Sequence, residues 1–311
     1  VVAGIILTLW LAQASLSSEN SRLLDNAFRL IKERQFDAAI KELNKAAGLE
    51  PRSAPVHLLL GQAYMAKGAA EFTAEAKSEF QQARELDPNL VLASFYIAKI
   101  DLDLGRVRQA EAELMRALEK KPGEHYLLAL LGETRRQQGK AEEAIRLTTN
   151  ALEAGQDAAA VHYFRALAWW DLRDEARALT DLGRILGSPH ATVEAYLLAG
   201  SIHLHFSRLK EAEDNFRSAI QLGADRAEPR LRLAHVLRRL KQYDLALKEL
   251  AQVESAPQLS SPYFQRLLAD AACEKGLILS DQGYAASAKK WFQRALEIDP
   301  SHAEAASRLR P

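Results

Sequence analysis

The chain has 311 residues, with 41 basic and 41 acidic side chains, 15 glycines, 10 prolines and one cysteine. The balanced charge excludes a global basic excess of the kind that drives binding to nucleic acid or anionic lipid. The single cysteine, Cys273, excludes an internal disulfide framework and a Cys-rich zinc site.

The first stretch, VVAGIILTLWLAQASLSSEN, is apolar from Val1 to Ala12 and then turns polar. Ala12-Gln13-Ala14 fits the small-x-small pattern of a signal-peptidase site. The apolar run is shorter than the roughly 20 residues that span a bilayer. Residues 1–19 are therefore read as a cleaved export signal, a retained membrane anchor or a buried cap helix. The first two readings put the rest of the chain outside the cytosol, in a periplasmic or other extracytoplasmic space.

From Asn20 onward the composition is helical, rich in Ala, Leu, Glu, Arg and Lys, and no alternating β-branched run reads as a strand. Apolar helices come in pairs. The first helix of each pair holds a small residue at its middle: Ala27, Gly61, Ala98, Gly132, Ala166, Gly200, Ala234 and Gly276. Most intervals in this ladder are 34 residues. The second helix holds two further ladders in the same phase, one beginning Ala39, Ala76, Ala110 and the other Ala46, Ala83, Ala117. Small residues let the two backbones of a hairpin approach closely. Leu43, Phe80, Leu114, Leu182, Phe216, Leu250 and Phe292 share the slot beside them, and Thr148 alone breaks that column. Gly68, Gly105, Gly139 and Gly283 stand where first helices end, and Pro51, Pro88, Pro122 and Pro300 follow second helices.

Three departures stand out. The second pair gains residues around GAAEFTAEA, and the eighth is preceded by a longer connection over 255–261, with Pro262 near the start of an extended helix. Arg165 and Lys275 replace an apolar residue of the first helix, so either those sites pack less well or the long side chains snorkel outward. The tail SHAEAASRLRP, residues 301–311, reads as part of a capping helix.

The period, the Gly/Ala ladders and the closing prolines resemble the tetratricopeptide repeat family over residues 20–300, as eight helix hairpins. The resemblance implies an all-α fold, a right-handed α-α superhelical solenoid with a concave groove, in which each hairpin buries its apolar face on its neighbours. It places Tyr64, Asp101, Arg135, Trp169, His203 and Leu237 between adjacent repeats, with Asp101 and Arg135 positioned to pair. It lines the groove with Leu58, Phe95, Tyr163, Leu197 and Leu231, and makes that lining shallower at Ala129. Met65, Leu102, Arg136, Trp170, Leu204 and Arg238 lie beside them. Lys99 and His235 fill slots that hold asparagine in the family's carboxylate-clamp members. The full clamp is missing, which argues against an adaptor for chaperone tails. Arg238 and Arg239 are expected to bring positive charge into the groove.

No phosphate-binding GxxxxGK[ST] loop, GxSxG elbow, HExxH or CxxCH motif occurs. His203 and His205 are two apart and face different sides of a helix, so they do not chelate one metal. The expectation is a non-catalytic scaffold without cofactor or metal. It holds a partner protein or peptide in the groove, in a bacterial envelope assembly or secretion system. The alternative is a membrane-anchored structural subunit that uses its convex face or termini.

Overall fold

The computed structural model describes residues 18–68, 73–154, 158–224, 226–255 and 262–310. The assignment of 1–19 to a signal or anchor thus lies outside the described residues, except that Ser18 and Glu19 open the first helix. The chain divides into two compact units, residues 1–168 and 169–311.

Among the described residues every regular element is a helix. In the first unit α1 (Ser18–Lys32) pairs with α2 (Phe36–Leu49), and α3 (Ala54–Lys67) with α4 (Thr73–Leu86). Next, α5 (Val91–Asp103) pairs with α6 (Val107–Lys120), and α7 (His125–Gln137) with α8 (Ala141–Glu153). The division between units falls within α9 (Ala159–Asp171). The second unit continues with the short α10 (Glu175–Gly183). Its hairpins are α11 (Val193–His205) with α12 (Leu209–Leu222), and α13 (Ala227–Arg239) with α14 (Tyr243–Ser255). A long α15 (Pro262–Asp281) pairs with α16 (Ala285–Ile298), against which α17 (Ala303–Leu309) packs. Second helices also pack on the first helix of the next pair, as α2 does on α3, α4 on α5, α6 on α7, α12 on α13 and α14 on α15.

The small-residue ladders form the seams. Ala27, Ala98, Ala166 and Ala234 are fully or almost fully buried, as are Ala39, Ala76, Ala110 and Ala212. The bulky column responds to them. Where the first helix has alanine, the facing residue is leucine: Leu43, Leu114, Leu182 and Leu250. Where it has glycine, the facing residue is phenylalanine in three of four hairpins. A Cβ on Gly61, Gly200 or Gly276 would come within 2.5–2.6 Å of the ring of Phe80, Phe216 or Phe292. Thr148, the exception, also lies against a glycine, with its Cγ2 2.8 Å from where a Cβ on Gly132 would sit. Its hydroxyl donates to the Ala144 carbonyl at 2.7 Å, so the buried polar atom is satisfied inside its own helix.

Of the residues expected between repeats, Tyr64, Asp101 and Arg135 meet a neighbouring hairpin, and the two charged ones pair differently. Asp101 does not meet Arg135. Asp101 on α5 accepts from Lys77 Nζ on α4 at 2.5 Å, and Arg135 on α7 reaches Glu111 on α6 at 2.7 Å. Each partner comes from the second helix of the preceding hairpin, because that helix packs on the joint. Consecutive joints thus carry the same ion pair with its charges exchanged. The Arg165 and Lys275 side chains are partly buried and end on polar partners: Arg165 donates to Thr149 Oγ1 at 3.2 Å, and Lys275 to Glu254 at 2.7 Å above the Trp291 ring.

Candidate partner-binding site

In the first unit α5, α7 and α9 enclose an open cleft of about 330 Å³. Buried Ala129, Leu130 and Val161 form its base, and the half-buried rings of Phe95, Tyr126 and Phe164 form its walls. Helical spacing explains the assembly. Tyr126, Ala129, Leu130 and Glu133 stand at i, i+3, i+4 and i+7 on α7, and Phe95, Lys99 and Leu102 share one face of α5. Ala129 was expected to make the lining shallower, and it does the reverse. A methyl group in the slot that Phe95 fills one hairpin earlier leaves space for a foreign side chain.

The walls are braced by edge-to-face contacts of Phe95 with Tyr96 (5.2 Å) and with Tyr126 (5.4 Å). Burial, with the nearby Glu124 carboxylate and Tyr96, pushes the Tyr126 phenol far up, so it stays neutral. The rim charges are compensated. Lys99 meets Asp103 at 3.1 Å, and Glu133 takes two contacts from the Arg136 guanidinium at 2.7 and 2.8 Å. Such a cleft suits an apolar side chain and disfavours an unpaired charge.

Of the residues expected in this part of the groove, Phe95 and Lys99 line the cleft and Arg136 braces its rim. Leu58 does not contribute: it is 0% exposed, enclosed with Tyr96, Ile97 and Ile100 of the next first helix. Met65 packs on that same cluster. Tyr163 stands 6.0 Å from Phe164, and it is Phe164 that enters the cleft. Sequence reasoning missed Tyr126 and Phe164. The signal for Tyr126 was available, since it stands one helical turn before Ala129.

In the second unit a cavity of about 290 Å³ is lined by Leu204, Leu231, His235, Asp270, Glu274 and His302, among others. His235 Nδ1 lies 3.2 Å from Glu274, and Arg238 Nε donates to the same carboxylate at 2.5 Å. Burial alone would raise the Glu274 carboxyl, but its interactions with His235 and with the Arg238 guanidinium outweigh it and hold it below the usual range. Burial first, then the Glu304, Glu274 and Asp270 carboxylates, push the Cys273 thiol up to about 12, which leaves it unreactive.

Two expectations fail in this unit. Arg238 brings no free charge into the groove, because Glu274 and Asp281 neutralise it. Arg239 points elsewhere, donating to the Leu204 carbonyl at 3.3 Å and Ser207 Oγ at 2.9 Å, since consecutive residues on a helix face about 100° apart. Leu197 and Leu204 pack partly buried on the core, and Leu204 also reaches the cavity. Trp170 joins a surface cluster, edge-on to His205 at 5.3 Å and to Phe206 at 6.3 Å.

Among the described residues no helix is long and apolar enough to cross a membrane, and no group of His, Cys, Asp or Glu is arranged to hold a metal ion.

Family models described as tetratricopeptide repeat match residues 24–89 and 129–189, 73–134 and 203–271, and 269–302. Superkiller complex protein 3 of Homo sapiens is 31% identical over 41% of this chain and 8% of its own length. Protein O-mannosyl-transferase TMTC3 of Homo sapiens is 20% identical over 96% of this chain and 37% of its own length. Anaphase-promoting complex subunit 3 of Schizosaccharomyces pombe is 23% identical over 66% of this chain and 30% of its own length. The chain spans between 8 and 41% of the length of the curated relatives it matches, and these are eukaryotic proteins. The APC/C hetero-tetramer Cut9-Hcn1 is similar in fold over 97% of this chain and 57% of that one, with a TM-score of 0.68 at 16% identity. IFIT1, in a monomeric mutant with Gppp-AAAA, covers 95% of this chain and 72% of that one at a TM-score of 0.72 and 14% identity. The fold class is therefore the all-α superhelical solenoid. Proteins built this way act as scaffolds for protein–protein interaction. With the repeat models matching 24–189 and 203–302, the chain belongs to the tetratricopeptide repeat family.

Proposed function

We propose that this chain is a non-catalytic scaffold that holds an apolar segment of a partner protein in the cleft between α5, α7 and α9. The observation that carries this reading is the space above Ala129, walled by three aromatic rings and rimmed by charges that already satisfy one another. An inserted Leu or Phe side chain loses its water-exposed surface there, worth about 1.5–3 kcal/mol per side chain, without stranding a charge. Ala129→Leu fills the cleft from its own base. Partner recovered on the tagged protein should fall by about tenfold, with helicity unchanged. Equal recovery with Ala129→Leu counts against this site.

Location outside the cytosol is part of the same proposal and is supported by the apolar run Val1–Ala12 and the Ala12-Gln13-Ala14 motif alone. A bacterial envelope setting has no support from the curated relatives. Amino-terminal sequencing of the native protein tests the export reading: a start at Ser15 agrees with it, and a start upstream of Val1 removes the cleavage.

A further inference from the structure

Three turns of the second unit carry side chains that the cleft does not use. They follow α9, α11 and α13, and their left-handed residues are Arg173 (φ 61°), Ser207 (φ 56°) and Lys241 (φ 61°). Glycine fills the corresponding place at Gly68, Gly105, Gly139 and Gly283, while Arg34 shares the non-glycine choice in the first hairpin. An L-residue in this conformation costs roughly 1–2 kcal/mol. The second unit keeps basic or hydroxyl side chains at three successive turns where glycine would cost less, a pattern that points to use of the side chains.

Around these turns the rings of Trp170, His205 and Phe206 meet edge to face, and Phe206 is 44% exposed. The Arg173 guanidinium lies 5.0 Å from the Trp170 ring centre, and that of Arg208 5.6 Å from Phe206. Arg239 is fixed beside the same turn by its bonds to Leu204 and Ser207. Arg208 is paired with Glu175, and Arg177 with Asp174. Arg173, Arg239 and Lys241 make no ion pair with a carboxylate among the described residues. Asp171, Glu211 and Asp244 are the other carboxylates close to these turns in sequence, so Arg173, Arg239 and Lys241 stand beside exposed rings without a carboxylate bound to any of them.

We infer that this edge is a second docking surface, and that it takes an acidic peptide segment of a partner protein with one aromatic or aliphatic side chain among its carboxylates. The carboxylates meet Arg173, Arg239 and Lys241, and the apolar side chain covers Phe206 and the edge of Trp170. Ring and guanidinium are already held against each other, which lowers the ordering cost of binding. A few cations on a chain of zero formal net charge suit a short acidic segment better than a phosphate backbone, whose binding scales with the number of cations engaged. This inference is independent of the cleft.

The test is fluorescence anisotropy on the purified chain with a fluorescein-labelled oligoglutamate peptide carrying one central phenylalanine. The same peptide with lysine for glutamate and a labelled polyuridylate oligonucleotide are run beside it. Arg173→Asn combined with Lys241→Asn removes two charges at positions whose left-handed backbone asparagine tolerates. Affinity for the acidic peptide should fall about tenfold, and that of the unaltered chain should weaken as salt rises. Phe206→Ser should lower affinity with less salt dependence. Where Phe206→Ser melts early, the asparagine pair decides alone. Unchanged affinity in the asparagine pair overturns the inference. So does equal or tighter binding of the lysine peptide or the oligonucleotide, or loss of binding on Ala129→Leu with none on the edge variants.

Discussion

The glycine–phenylalanine and alanine–leucine pairing can be broken and rebuilt in one hairpin. In α11 and α12 a Cβ on Gly200 would lie 2.5 Å from Phe216 Cε1, 2.8 Å from Cδ1 and 2.9 Å from Cζ. Ordinary carbon contacts lie at about 3.5–4.0 Å, so the ring must move by about 1 Å. Phe216 is 0% exposed and has nowhere to swing. Overpacking of this kind costs about 1–3 kcal/mol, and alanine's helix propensity returns about 1 kcal/mol, which leaves Gly200→Ala about 1 kcal/mol destabilising. Phe216→Leu loses ring contacts and leaves a small void, at about 1–2 kcal/mol. The double variant recreates the Ala234–Leu250 pair of the next hairpin. It should lie within about 0.5 kcal/mol of the starting protein, a coupling of about 2 kcal/mol. Urea unfolding followed by circular dichroism measures all four proteins. Effects that simply add would refute volume compensation as the rule of these seams.

Other outcomes follow from the same structure. Lys77→Glu sets two carboxylates against each other at a buried aspartate and should cost about 2–4 kcal/mol; adding Asp101→Arg copies the Glu111–Arg135 joint and should recover most of it in urea unfolding. His57 faces two acceptors, Glu79 at 2.7 Å and the Pro51 carbonyl at 3.0 Å. The Glu79 hydrogen bond, against burial and with help from Pro51, raises its pKa above the ordinary 6.5. This contribution to stability is complete below about pH 6.5 and is lost as pH rises through the raised value. Thermal melts of His57→Gln should lack the decline that the unaltered chain shows across that window. Lys241→Gly relieves a left-handed lysine and should stabilise by about 0.5–1 kcal/mol in thermal melts.

The periodic part of the fold was legible because 34-residue spacing repeats the same packing problem. Ladder positions such as Ala98 and Ala234 have one solution, and they are buried as expected. The extended helix of the eighth hairpin was legible from Pro262, where α15 begins. The joints were less so. A column of first-helix residues tells which side chains reach a neighbour but not which helix they meet, so Asp101 was matched to Arg135 instead of Lys77. The partner column reads Lys77, Glu111, Ile145 and Leu179, and its change from charged to apolar hides the joint. Groove positions failed for a related reason. Leu58 and Ala129 occupy the same slot, yet the next first helix covers one and leaves space above the other. Exposure at that slot depends on neighbouring side-chain volume, and a periodic pattern does not carry that. The left-handed turns at Arg173, Ser207 and Lys241 gave no signal, because glycine marks such turns and those three positions do without it.

The scaffold reading is tested most directly by a photoactivatable amino acid in place of Lys99, at the rim of the cleft, in cells that make the protein. The account expects crosslinks to one short segment of a partner protein containing a large apolar residue, lost when Ala129→Leu is added. Crosslinks that persist unchanged with Ala129→Leu, or that scatter over unrelated proteins, would contradict it.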